Sequence, residues 1–212
     1  MKSNNSNKPI ALIGYSGHAF VAADIFLSMG KTVAAYCDNE EKSFNPFSLQ
    51  FLGSDSEKSV IGLLKEYDYF VVVGDNTIRR KISERLANQL GDSINAVHTS
   101  SVISASATIG NGVFIAANVA INPLTKIGNG VICNTSCSID HECIIGDFVH
   151  IAPGAVLCGN VIVGENSFVG ANAVIRQGIT IGKNVVIGAG AVVVKNISDH
   201  STVIGNPHKN LK

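Results

Sequence analysis

Residues 132–164 read ICNTSCSIDHECIIGDFVHIAPGAVLCGNVIVG. Every sixth residue from Cys133 is apolar: Ile139, Ile145, Ile151, Leu157 and Val163 follow in turn. The register runs back through Ile127, Ile121, Ile115 and Ile109 to Ile103, and on through Val169, Ile175, Ile181 and Ile187 to Val193. That makes sixteen hexapeptides over 103–198, in which Cys133 alone is not Ile, Leu or Val. A second series, four residues after each of these, is small or β-branched from Ala107 to Ile197. Gly often follows the aliphatic residue, as at Gly110, Gly128, Gly146 and Gly164. A period of six does not fit a helix of 3.6 residues per turn. It fits short strands broken by tight corners, each strand sending one aliphatic residue inward. Hexapeptide periodicity is the mark of a parallel β-helix.

This pattern resembles the hexapeptide-repeat acyltransferases. That resemblance implies left-handed, three-sided coils assembled as homotrimers, although parallel crossovers are generally right-handed. With three hexapeptides per coil, the stretch makes a little over five coils.

The chain has 212 residues, with sixteen basic and sixteen acidic side chains. A net charge of zero gives no support for a nucleic-acid groove or an anionic-membrane patch. No apolar run is long enough to span a bilayer. Met1–Lys8 is polar, without the apolar core of a signal peptide, and is expected to be a disordered lead-in (1–8). Five cysteines, an odd number mostly on inward positions, point to a reducing cytoplasm. Cys133, Cys137 and Cys143 fall on inward positions, where Cys packs as a small apolar residue, so no metal is expected.

Residues 9–98 alternate strands and helices, the pattern of a small Rossmann-like parallel sheet. PIALIG reads as a strand, YSGH as a turn, AFVAADIFLSM as a helix stopped near Gly30, and KTVAAYCDN as a second strand. Residues 40–55 read as an irregular loop, and SDSEKSVIGLLKEY as a helix capped by Ser54 or Asp55. YDYFVVVGDN reads as a third strand. TIRRKISERLANQL reads as an amphipathic helix with Ile78, Ile82, Leu86 and Leu90 on one stripe, stopped by Gly91. INAVH reads as a fourth strand leading into the repeats, 99–198. The tail, 199–212, is expected to fold back on the last coil.

The loops at Gly14, Asp38 and Gly74 follow strands, where open α/β sheets bind ligands. Gly14-Tyr15-Ser16-Gly17-His18 opens a helix, as a phosphate site requires, and Asp38 at the next strand tip suits a ribose hydroxyl. A plain structural corner explains the turn equally well, and GxGxxG is absent, which argues against a dinucleotide.

Two histidines lie within the regular coils. His141 is followed by Glu142, a carboxylate able to accept from one ring nitrogen and leave the other as base. Neighbours in a strand face opposite ways, so the pairing requires a coil corner. Eighteen residues on stands Gly159, leaving room beside the ring. His150 lies nine residues, half a coil, after His141, on a different face. The two could meet only across a subunit boundary. A zinc lyase on this scaffold needs three converging histidines. Only these two are in the coils. The extra α/β unit argues against a non-catalytic scaffold.

GYSGH, YCDN, VVVGDNTIRRKI, NTSCSIDHECIIGDFVHIAPGAVLCGNV and VIGNP resemble the hexapeptide-repeat sugar O/N-acetyltransferases, over nearly the whole chain. These include the bacillosamine, perosamine and viosamine N-acetyltransferases and the sialic acid O-acetyltransferases. The resemblance implies acetyl transfer from acetyl-CoA to the amine of a nucleotide-linked 4-amino-4,6-dideoxy sugar, for a surface glycan. O-acetylation of sialic acid or another sugar hydroxyl is the alternative. It implies His141 as general base tuned by Glu142, and His150 bonding the thioester carbonyl. Gly159, Ala171 and Ala189 would line the CoA slot between subunits. Ser16, Gly17, His18, Asp38 and Asn39, with Gly74 and Asn76 nearby, would hold the nucleotide sugar, and Asn134 would sit near the acceptor. The bacillosamine member carries two aspartates where this chain has Asp38-Asn39, which leaves the nucleotide open.

Overall fold

The structure, a computed structural model, describes residues 7–211. The expected lead-in lies outside the described residues up to residue 6. Lys8, at its end, donates to the Lys65 carbonyl at 2.6 Å.

The first unit contains β1 (Ile10–Ile13), α1 (Gly17–Ser28), β2 (Val33–Cys37), β3 (Gln50–Phe51), α2 (Lys58–Leu64), β4 (Asp68–Val71) and α3 (Asn76–Leu90). Its strands form one parallel sheet in the order β3-β2-β1-β4. Three sequence expectations change here. The fourth strand is β3, from the stretch read as a loop, because backbone pairing to Ala35 and Tyr36 holds it rather than a hydrophobic pattern. Helix α2 is capped at Glu57 without a side-chain bond. Asp55 instead accepts from Arg85. Ile78 is 53 % exposed, and the buried stripe of α3 runs through Arg79 and Leu86. Asp75 caps α3, accepting from the Ile78 N–H at 2.8 Å.

The second unit begins earlier than 99. β5 (Ala96–Val97) pairs not with the first sheet but with Phe114 and Ile115, so the repeat register already holds at Val97. Sixteen two-residue strands follow, β6 (Val102–Ile103) to β21 (Val192–Val193). Each interior strand pairs in parallel with the strand eighteen residues on, as Ile132↔His150 and His150↔Phe168 show. Three flat faces result, of five, six and eight strands. One residue of each pair points into the coil and the other points out, as period two demands, and the outward Phe114 and Ile132 are buried as well. Thr125 and Ser167 are the buried polar exceptions, and each donates to a main-chain carbonyl at 2.8 Å. The tail folds back as expected: β22 (Thr202–Ile204) continues the eight-stranded face and β23 (Lys209–Asn210) returns antiparallel to it.

Corners recur every six residues with a left-handed residue. Asn or Gly fills most of them, but Leu124, Ser136, Glu142 and Phe148 also have φ between 57° and 64°. Each such side chain costs roughly 1–2 kcal/mol. At Phe148 the ring lies against Gly130, where a Cβ would come within 2.4 Å of it.

The two units share one core. His18 at the start of α1 stacks on Phe114 at 4.5 Å, and Phe70 stacks there too at 6.3 Å. At the rim, Arg80 pairs with Glu165 and lies 5.1 Å from the Phe148 ring centroid. Lys183 also reaches Glu165, at 2.9 Å. The α/β unit therefore rests on the eight-stranded face beside His150.

Candidate active site

His141 and Glu142 occupy the corner between the six- and five-stranded faces. Glu142 is left-handed, φ 60°. That reversal lets two adjacent side chains turn the same way, and the His141 Nδ1 to Glu142 Oε2 distance is 3.0 Å. A carboxylate at Nδ1 selects the tautomer that carries its proton there, leaving the Nε2 lone pair open. Two further bonds hold the corner. The His141 N–H donates to Asp140 Oδ1 at 2.8 Å, and the Glu142 N–H to the Pro123 carbonyl at 3.0 Å. Asn122 donates to Asp140 as well, and this bond chiefly holds the Asp140 carboxyl below its ordinary pKa. Above the ring stands Gly159. A Cβ there would come within 2.5 Å of His141 Cε1 and 2.6 Å of Nε2. Both side chains are more than half exposed in the single chain.

Cys143 points the other way. It is fully buried and its Sγ donates to the Cys158 carbonyl at 3.3 Å. Burial raises its pKa above the ordinary thiol value, which opposes thiolate chemistry. Among the described residues no group of His, Cys, Asp and Glu could hold a metal ion.

A second constellation lies under the α/β unit. His150 is on the eight-stranded face, with Asn134 Nδ2 3.3 Å from its Nε2. Its ring meets Phe168 edge-on at 5.1 Å, and His18 is 6.4 Å away. Burial, then the charge of Arg79, pulls the pKa of His18 down to about 4. The same two causes, with His18 added, bring His150 to about 4 against the backbone of Gly74. Both are neutral near pH 7.

The three strand-end loops converge nearby. The Asp38 carboxylate accepts from the Tyr15 N–H at 2.9 Å and the Asn39 N–H at 2.7 Å, and Lys42 lies 3.3 Å away. It braces the Gly14 turn, so the structural role of that turn is visible directly. Ser16 opens α1 without a side-chain cap, and the first N–H groups of the helix, at Gly17 and His18, have no acceptor within the helix. Asn76 has both ends of its amide engaged: Nδ2 donates to the Asn166 and Ser167 carbonyls, and Oδ1 accepts from Arg79. It fastens the Gly74 loop to the β-helix.

Thus the structure brings His141, Glu142 and Gly159 together at one corner, and His18, His150, Asn134 and the Gly74 loop together elsewhere. Among the described residues no hydrogen bond or ring contact joins His141 to His150. Ala171 and Ala189 lie on the corner after the eight-stranded face, and Gly159 lies on the corner after the six-stranded one. Sequence reasoning missed Asp140, Arg79, Phe114 and Phe168. It also missed an aromatic group at the β1 and β2 tips. There Tyr15 stacks on Tyr36 at 4.2 Å, and Phe20 meets Phe44, which is 69 % exposed. Asp140 was within reach, one residue before His141. The others emerge only from folding.

Residues 9–86 match the family model of the PglD N-terminal domain, and 160–195 the hexapeptide repeat of succinyl-transferase. A curated relative, UDP-N-acetylbacillosamine N-acetyltransferase of Bacillus subtilis, is 33 % identical over 112 residues, 52 % of each chain. The match thus spans about half the length of that relative. Solved structures align over nearly their full length. One is a histidine-to-asparagine mutant of perosamine N-acetyltransferase from Caulobacter crescentus, in complex with CoA and GDP-perosamine. It is 35 % identical, with TM-score 0.91, over 96 % of this chain and 97 % of that one. The acetyltransferase domain of PglB from Neisseria gonorrhoeae, in complex with acetyl coenzyme A, is also 35 % identical, with TM-score 0.91, over 97 % and 100 %. With its PglD-type first unit, its hexapeptide coils and full-length likeness to these enzymes, the chain belongs to the hexapeptide-repeat sugar N-acetyltransferase family.

Proposed function

We propose that this chain transfers the acetyl group of acetyl-CoA to the 4-amino group of a nucleotide-linked 4-amino-4,6-dideoxy sugar, in the cytoplasm, for a surface glycan. The observation that carries the reading is the His141–Glu142 pair on a left-handed corner beside Gly159. An alkylammonium ion is no nucleophile, so the acceptor must lose a proton before or during attack. His141 Nε2 accepts it, while Glu142 holds Nδ1–H. The N–C bond forms to give a tetrahedral oxyanion, whose collapse breaks the thioester C–S bond, and the CoA thiolate takes up a proton on leaving. Backbone N–H groups along the coil are the donors for the tetrahedral oxyanion. No protein nucleophile takes part.

Acetyl-CoA supplies the activated acyl group. His150 orients its thioester carbonyl, and Gly159, Ala171 and Ala189 line the slot. Ser16, Gly17, His18, Asp38 and Asn39 hold the nucleotide sugar, with Gly74 beside them and Asn134 near the acceptor. Asn76 acts through the loop it fastens. Because His141 stands on a corner away from the eight-stranded face that carries His150, and Gly159 and Ala171 stand on different corners of one chain, the site belongs to two chains of a homotrimer. Relatives solved in complex with CoA and GDP-perosamine support this pair of ligands.

The test is an acceptor panel: UDP-, dTDP- and GDP-linked 4-amino-4,6-dideoxy sugars and sialic acid, each with acetyl-CoA, read by mass. One acetyl gained on an amino sugar nucleotide is the expected result and names the nucleotide. Acetylated sialic acid alone would move the chain to O-acetylation, and no product from any acceptor would sink the enzyme reading.

A further inference from the structure

We propose that Arg79 is a positioning residue for acetyl transfer: it locks the loop after β4 to two stacked corners of the β-helix, and so sets the acceptor's place relative to the catalytic coils. The inference rests on the reading above that the α/β unit holds the nucleotide sugar.

Arg79 is 2 % exposed, in the middle of the interface between the units. Its guanidinium is spent on oxygens of both sides. Toward the α/β unit, Nη1 donates to the Val73 and Gly74 carbonyls at 3.0 Å each, and Nη2 to Asn76 Oδ1 at 2.9 Å. Toward the β-helix, Nε donates to the Gly130 carbonyl at 2.8 Å and Nη2 to the Phe148 carbonyl at 3.0 Å. Gly130 and Phe148 are left-handed corners one coil apart, and Phe148 is two residues before His150. None of these five acceptors is a carboxylate. The charge is balanced by carbonyl dipoles, an arrangement that geometry rather than ion pairing must hold. A buried guanidinium costs several kcal/mol to desolvate, which a join needing only adhesion avoids by using apolar residues.

The two sides differ in what else holds them. The corner at Phe148 sits in its own ladder: the Phe148 N–H donates to the Asn129 carbonyl at 2.8 Å and the His150 N–H to Ser167 at 3.0 Å. The Val73 and Gly74 carbonyls accept from the Arg79 fork, and beyond Arg79 the loop and the start of α3 meet the coils through Asn76, through Thr77, which accepts from Asn166 Nδ2 at 3.3 Å, and through His150 beside the Gly74 backbone. Loss of the fork therefore shifts the loop and leaves the coils in place. The consequence falls on the acceptor rather than on CoA.

The test is the Arg79→Lys enzyme, full length, with Asn76→Ala as the milder second variant. Lysine keeps the charge but has three donors on one nitrogen, and cannot span both sides of the join. For each variant, circular dichroism and oligomer mass establish folding. Steady-state kinetics give kcat and KM for the acceptor, and calorimetry gives the Kd of CoA. The expected result is a fall of roughly 10- to 100-fold in acceptor kcat/KM, with the Kd of CoA within about twofold of wild type. The inference is overturned if folded variants keep acceptor kcat/KM within twofold. It is equally overturned if acceptor and CoA weaken together, or if neither variant folds, since either outcome makes Arg79 structural only. Wild type is run on the whole acceptor panel alongside. Its failure to acetylate an amino sugar nucleotide would refute the functional reading, whereas the variant-to-wild-type ratio, taken on whichever acceptor wild type uses, judges Arg79.

Discussion

Substituting alanine for Gly159 should cripple the enzyme without unfolding it. The new Cβ would stand 2.5 Å from His141 Cε1 and 2.6 Å from Nε2. Carbon contacts settle near 3.5 Å, so the ring must move by about 1 Å. The backbone has no reason to object, because Gly159 is not in the left-handed region. His141 is 54 % exposed and can swing outward, so the cost in stability should stay under about 1 kcal/mol. A base displaced by about 1 Å costs on the order of a hundredfold in rate, or about 2.7 kcal/mol of transition-state stabilisation. The assay is continuous release of the CoA thiol, with kcat separated from the KM of each substrate. Gly62→Ala serves as control, since a Cβ there meets nothing within 4 Å. Should Gly159→Ala retain kcat within twofold of wild type, the His141 ring is not where the proton goes.

Three further outcomes follow from the same geometry. His141→Ala should abolish turnover, whereas Cys143→Ala should keep most activity and lose roughly 1 kcal/mol of stability from the core. The reverse pattern in the same thiol assay would restore a cysteine nucleophile. Inactive His141→Ala and His150→Ala chains, unfolded together and reassembled, should regain part of the activity. Mixed oligomers that remain dead would remove the shared site.

Stability should also fall on acidification. His18 and His150 have folded pKa values of about 4 against an ordinary 6.5. The unfolded chain then binds protons more readily between those values, so stability is full above about pH 6.5 and declines as pH drops toward 4. At pH 5 the loss is about 2 kcal/mol for each histidine. Thermal melts at pH 7 and pH 5 measure it, and His150→Gln should remove roughly half of the difference, leaving the share of His18. A flat wild-type profile would contradict the burial of these rings.

The β-helix was open to reading because its geometry is written locally. One inward aliphatic residue per six carries the register, and no distant contact can shift it without exposing the whole series. The same arithmetic placed Gly159 over His141, and the His141–Glu142 pairing required the corner that the φ of 60° at Glu142 supplies. The first sheet was less legible. β3 has no apolar alternation and exists through main-chain bonds to β2, while Val97 continues the six-residue register although INAVH looks like a strand of the preceding unit. Arg79 was hidden by its type, since a cation on the buried stripe of an amphipathic helix makes sense only once the Gly130 and Phe148 carbonyls face it. The pairing of His18 with His150 joins residues 132 positions apart. No local pattern encodes it.

The most direct test of the account is a crystal structure of the oligomer with CoA and the nucleotide amino sugar that it uses. The acceptor nitrogen should lie within hydrogen-bond reach, about 2.6–3.2 Å, of His141 Nε2, with the CoA sulfur between that corner and the His150 face of a second copy. An acceptor nitrogen held at His150 instead, or both ligands contained within one chain, would contradict it.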